Sequence, residues 1–131
     1  METPINSPEK FGAPEVDPHG GALSLVDTVA DAPAPRENLP GVKRLLKADG
    51  ANLIVFTFSP GQELADHRAA HPIMVQCIEG VLDFGCDGQT YRLTAGSVLH
   101  LKDMVVHRVD CPQDAPERNV LQLFMLTGER H

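Results

Sequence analysis

The stretch "DHRAAHPIMVQ", Asp66 to Gln76, carries two histidines four residues apart and a glutamine five residues beyond the second. Imidazoles at that spacing share one face of a helix, as in the H-E-x-x-H zinc motif. Here the glutamate is missing and Pro72 follows His71 directly, which disfavours a helix. In an extended chain, residues two apart share a face at about 6.6 Å, whereas His67 and His71 would stand roughly 13 Å apart. A single ion could reach both only if the chain bends at "AAHP", which the small alanines and Pro72 favour.

Other heteroatoms can be sorted by the two-residue period of a strand. In "VVHRV", Val105, His107 and Val109 share one parity and Arg108 and Asp110 the other, so His107 points to the apolar side and needs a partner there. Two readings of it stand open, a satisfied core histidine and a metal ligand. In "IMVQCIE", Met74, Gln76 and Ile78 alternate with Ile73, Val75, Cys77 and Glu79. If Glu79 faces water beside Gly80, Gln76 faces inward, where its amide needs hydrogen bonds or a metal. In "SVLHL", Leu99 and Leu101 read as the core face and His100 as the opposite one. His19, in a Pro-rich stretch, and the terminal His131 are expected to be solvent-exposed and silent. Glu63 and Asp66 carry no specific signal, and Arg68, next to His67, reads either as a cation that could attract an acidic ligand or as a solvated charge.

The elements that must hold these residues are strands. Residues 1–35 are rich in Pro, Gly and charge and form an extended N-terminal arm in this reading, with "ALSLVDTV" as one short candidate strand. Within residues 36–131, from Gly41 onward, short apolar and β-branched runs alternate with turn signals about every ten residues, the pattern of an all-β sandwich or barrel. Asp87-Gly88 is a strong hairpin signal. "VKRLLKADG" is the one segment where a helical turn competes. Eight or so strands with no strong helix indicate a small β-barrel or jelly roll in a single domain.

The 131-residue chain has a formal net charge of −7, which excludes the basic footprint of a nucleic-acid-binding surface. The longest near-apolar run, "NLIVFTF", is far short of the roughly 20 residues of a membrane helix. The N-terminus lacks the basic start and apolar core of a secretory signal, so a cytoplasmic location is the default expectation. Cys77, Cys86 and Cys111 have neither zinc spacing nor an even count and read as reduced thiols.

Residues from about 41 to 127 resemble a small single-domain cupin of the RmlC-like jelly-roll superfamily. The first family motif is G-x5-H-x-H-x3,4-E-x6-G, and Gly61, His67 and Gly80 match it in register. The second is G-x5-P-x-G-x2-H-x3-N, matched by Gly96 and His107. Ala69 and Ile73 stand where the family has its second histidine and its glutamate. Lys102-Asp103-Met104 replaces Pro-x-Gly, and Cys111 replaces asparagine. The resemblance implies a cupin double-stranded β-helix and a homodimer. It also implies a site in which histidines and the glutamate hold iron, manganese, nickel or zinc.

Only His67 and His107 carry over residue by residue, fewer than the three or four protein ligands of an ordinary site. His71 and Gln76 are the replacements available to complete a His67–His71–Gln76–His107 set. Such neutral ligands would suit Fe, Ni, Cu or Zn better than Mg. The competing reading leaves His71 on a solvent-facing loop and Gln76 merely lining the cavity. The leading expectation is therefore a divalent transition metal and a small organic ligand bound in the barrel, with any enzymatic reaction dioxygenase-like or isomerase-like. The alternatives are a metal-independent ligand-binding or sensor module and metal-free acid–base catalysis by His67 or His107.

Overall fold

A computed structural model describes residues 3–18 and 21–128, so His19 and His131 lie outside the described residues. The described residues form ten strands: β1 (Ile5–Asn6), β2 (Gly41–Ala48), β3 (Ala51–Phe58), β4 (Glu63–Ala69), β5 (Ile73–Glu79), β6 (Leu82–Cys86), β7 (Gln89–Leu93), β8 (Val98–Leu101), β9 (His107–Asp110) and β10 (Asn119–Met125). They form two five-stranded sheets, ordered β1-β4-β9-β6-β7 and β2-β3-β10-β5-β8. Apart from the parallel β1–β4 pair, all the strand pairs are antiparallel. The inner faces bury a continuous apolar core that includes Ile54, Phe58, Val75, Phe84, Val109 and Leu121. Two packed antiparallel sheets in this arrangement are a jelly roll.

The longest apolar run explains its own burial. In β3, Ile54, Phe56 and Phe58 face the core, while Leu53 and Val55 join a second cluster with Leu45 and Val120 on the outer face of the sheet. A strand apolar on both sides must be covered on both sides. The cover is the N-terminal segment, whose Val26 and Ala32 pack on that second cluster.

That segment is tied into both sheets. Its β1 runs parallel to the edge of β4, with Ile5 opposite Arg68. A 3-10 turn at Pro8–Phe11 follows, and Phe11 packs edge-to-face on Phe56 at 5.8 Å between ring centroids. Val16 then bridges to Leu46 on β2. Arg44, buried on β2, donates to Gly12 O at 3.0 Å and to Asn52 Oδ1 at 3.0 and 2.8 Å. A guanidinium with these acceptors, and Glu9 at 3.8 Å, fastens the segment across the end of the barrel.

Two local expectations need correction. "ALSLVDTV" is not a strand: residues 22–27 are irregular and lead into a turn in which Asp27 Oδ1 accepts from the Val29 and Ala30 amides. Leu23 and Leu25 are 83% and 89% exposed, so no sheet face buries them and extended pairing gains nothing. "VKRLLKADG" resolves as strand β2, and its helix-like spacing comes from a bulge. Arg44 pairs with Ile54 and Leu46 with Leu53, which leaves Leu45 as the extra residue.

The turns obey the sequence more closely. Cys86 pairs with Gln89 across Asp87-Gly88, both at positive φ (53° and 75°), the two-residue hairpin that this dipeptide favours. Gly80, a motif glycine, has φ 78°, and a Cβ there would stand 2.1 Å from Asn119 Oδ1. That oxygen accepts from the Val81 amide, so the glycine lets a buried asparagine brace the β5–β6 turn.

Candidate functional site

Strands β4 and β9 bring His67 and His107 together. Leu64 pairs with Val109 and His67 with His107, so β4 carries one more residue than β9 between the two pairings. This bulge at Ala65–Asp66 resets the alternation of β4, and Leu64, His67 and Ala69 all reach the interior. On β9, His107 and Val109 are buried, as their parity requires. The two imidazoles lie 4.2 Å apart between centroids at 65°, and Phe84 stacks on His107 at 5.2 Å.

Each ring is held in the same way. His67 Nδ1 lies 2.8 Å from Ala65 O, and His107 Nδ1 lies 2.9 Å from Val105 O. A carbonyl oxygen can only accept, so Nδ1 carries the proton in both rings and Nε2 keeps its lone pair when the ring is neutral. Burial favours that neutral form. It lowers the pKa of His67, against small opposing effects of Ala65 O and Asp66. Burial, and then the neighbouring His67, lowers that of His107 to about 4.

The pair borders a cavity of about 230 Å³ between the sheets. Phe56, Leu64, Leu123 and Met125 contribute its apolar walls, and Pro4, Asn6 and Phe11 of the N-terminal segment also line it. An open groove of about 740 Å³ beside the β6–β7 hairpin shares Asp66 and His107 with the cavity, so His107 borders both. Sequence reasoning missed the contribution of the N-terminal segment. The available signal was Phe11, the only aromatic residue before Phe56. It also missed Cys86, the cross-strand neighbour of His107 on β6.

The other two candidate ligands are elsewhere. Gln76 does not face inward, which corrects the parity argument. Glu79 pairs with Val120 and Cys77 with Leu121, so a bulge at Ile78 breaks the alternation of β5. Glu79 and Gln76 therefore both lie on the outer face, where Gln122 Nε2 donates to Gln76 Oε1 at 2.7 Å. His71 sits in the bend between β4 and β5 and does not line the cavity. The chain does bend at "AAHP", yet His71 is not brought to His67 and His107: among the described residues no three His, Cys, Asp or Glu side chains group closely enough to hold an ion.

Nε2 donors whose opposite nitrogens are fixed by carbonyls are the form in which histidines bind metals. His67 and His107 thus fit two positions of a coordination shell. Ala69 and Ile73, at the family's other ligand positions, are buried hydrocarbon. The described residues therefore do not complete a site that would retain a metal by protein ligands alone.

The comparisons agree with this architecture. Residues 54–120 match the family model described as "Cupin domain". A protein with a double-stranded β-helix domain from Klebsiella pneumoniae superposes with a TM-score of 0.68 at 21% identity, over 82% of this chain and 90% or more of its own (92%). A conserved protein of unknown function from Streptococcus pyogenes gives 0.64 at 19% identity, covering 82% of this chain and 90% of that one. A cupin superfamily protein from Desulfitobacterium hafniense gives 0.60 at 18% identity, covering 71% and 82%. At these identities the likeness is one of fold. No curated protein sequence matches the chain. The motif residues, the two-sheet barrel and the family match together show that the chain belongs to the cupin domain family.

Proposed function

We propose that this cupin binds a small organic molecule in the cavity closed by its N-terminal segment, with the polar end of that molecule against Nε2 of His67 and His107. The observation that carries this reading is the pair of imidazoles whose Nδ1 atoms are committed to backbone carbonyls while Nε2 is left for a ligand. The cavity, at about 230 Å³, is smaller than the ~300–1,000 Å³ of drug-sized sites, which points to a compact ligand. A divalent transition metal (Fe, Ni, Cu, Zn or Mn) belongs to the reading only as an ion that takes two donors from the protein and the rest from its ligand or water. No reaction is assigned.

Side-chain NMR of the two histidines during titration with a library of small aromatic and aliphatic fragments tests the reading. Binders should shift the Nε2 resonances of His67 and His107, and a library with no such binder would sink it. Elemental analysis addresses the metal: wild-type protein that retains a stoichiometric ion through dialysis without ligand would show that further donors exist. We carry a homodimer in the same proposal, supported by Met74 and Val98, 38% and 54% exposed on the outer face of the second sheet. A monomer by light scattering removes it.

A further inference from the structure

The cavity is one-sided in its hydrogen bonding. The Nδ1 protons of His67 and His107 are spent on Ala65 O and Val105 O, so the neutral rings offer two lone pairs side by side and no donor. None of the lining residues is a lysine or an arginine, and the one formally charged side chain among them is acidic, Asp66. Asn6 adds one amide, which offers a donor and an acceptor alike. Arg68, next to His67 on β4, does not line the cavity, although its buried Nε has no hydrogen-bond partner. Arg108, on the opposite face of β9, pairs with Glu63, Asp66 and Asp110. Arg44 is held by Asn52 and Gly12 O.

A buried anion needs a cation or several donors to offset its desolvation. This cavity supplies neither. Two adjacent acceptors, with a carboxylate at the rim, suit the opposite kind of ligand. Resting on the ligand-binding reading above, we propose that the cavity selects a small neutral or cationic molecule with two adjacent hydrogen-bond donors, of the vicinal dihydroxy-aromatic type, over a carboxylate of the same size. The apolar walls take the ring, and the two hydroxyls donate to Nε2 of His67 and Nε2 of His107.

Catechol and benzoate are the probes, since they share a ring and differ in the sign of their hydrogen bonding. Affinities would be measured by calorimetry at pH 7.5 on full-length protein stripped with a chelator, so that no metal–catechol complex contributes. Catechol should bind at least about tenfold more tightly than benzoate, the ratio that one unpaired buried polar group readily exceeds. Its binding should shift both histidine Nε2 resonances, and His107→Phe, which keeps the stacking surface on Phe84 and removes the lone pair, should weaken it by a similar factor. Benzoate binding equally or more tightly while shifting the histidines would overturn the selectivity and leave the ligand-binding reading intact. Neither probe binding, or catechol binding without a histidine shift, would overturn both. If His107→Phe does not fold, the wild-type affinity ratio still decides.

Discussion

Two pairs of polar side chains face each other across strands of this barrel, and they have opposite fates. Gln76 and Gln122, on the outer face of the second sheet, are turned to each other and share one short hydrogen bond. His67 and His107, on the inner face of the first, each turn one nitrogen back to the backbone and leave the other unspent beside a cavity. The glutamine pair links two neighbouring strands, and what remains of its amides faces the outer surface rather than the cavity. A pair with lone pairs left over beside a cavity is a candidate site, because Nε2 of each ring remains open to a ligand.

The sharpest way to separate the pairs is pH. His107 has its pKa lowered to about 4 in the fold, against 6.5 for the free side chain. Between those values the unfolded chain binds the proton and the folded chain does not, so stability present above pH 6.5 is lost as pH falls towards 4. The loss for this group alone is about 3 kcal/mol. Urea unfolding at pH 7.5 and 4.5 should show it in wild type and a much smaller loss in His107→Gln, whereas Gln76→Ala should leave the pH dependence as it was. Equal slopes in all three proteins would erase the distinction drawn between the pairs.

Next in size is the wall that the N-terminal segment gives the histidine side. Phe11→Ala should cost about 2 kcal/mol in the same unfolding experiment, less than a fully buried Phe because Phe11 is only partly enclosed. It should also raise hydrogen exchange at Ile5 and Asn6. Unchanged stability would mean that the segment does not close the cavity. Gln76→Ala should cost no more than about 1 kcal/mol, the loss of one half-exposed hydrogen bond, and leave ligand affinity unaltered. A loss of affinity there would place Gln76 in the site after all. The smallest effect is expected at Met104, which keeps a φ of 63° where the family motif has glycine. Met104→Gly should fall within about 1 kcal/mol of wild type, since relief of strain is offset by the freer unfolded chain. Strong destabilisation would show that its side chain, not its backbone, fixes the approach to β9.

The strands, the Asp87-Gly88 hairpin and the inward parity of His107 were legible because each depends on near neighbours in sequence: a two-residue period, a dipeptide with a φ preference. The failures have a common cause. Gln76 was assigned inward by counting from Glu79, and a bulge at Ile78 intervened. "ALSLVDTV" has strand composition, but no sheet face buries its Leu23 and Leu25. His71 met the expected bend without being carried to the other two histidines.

What the sequence by itself determined is the barrel and the two motif histidines, through apolar periodicity and the spacing of Gly61, His67, Gly80, Gly96 and His107. Only the tertiary structure decided which heteroatoms share a cavity. Bulges reset side-chain direction by one residue, and they arise where one strand carries an extra residue between two pairings with its neighbour. That mismatch belongs to the pair of strands and to neither sequence alone.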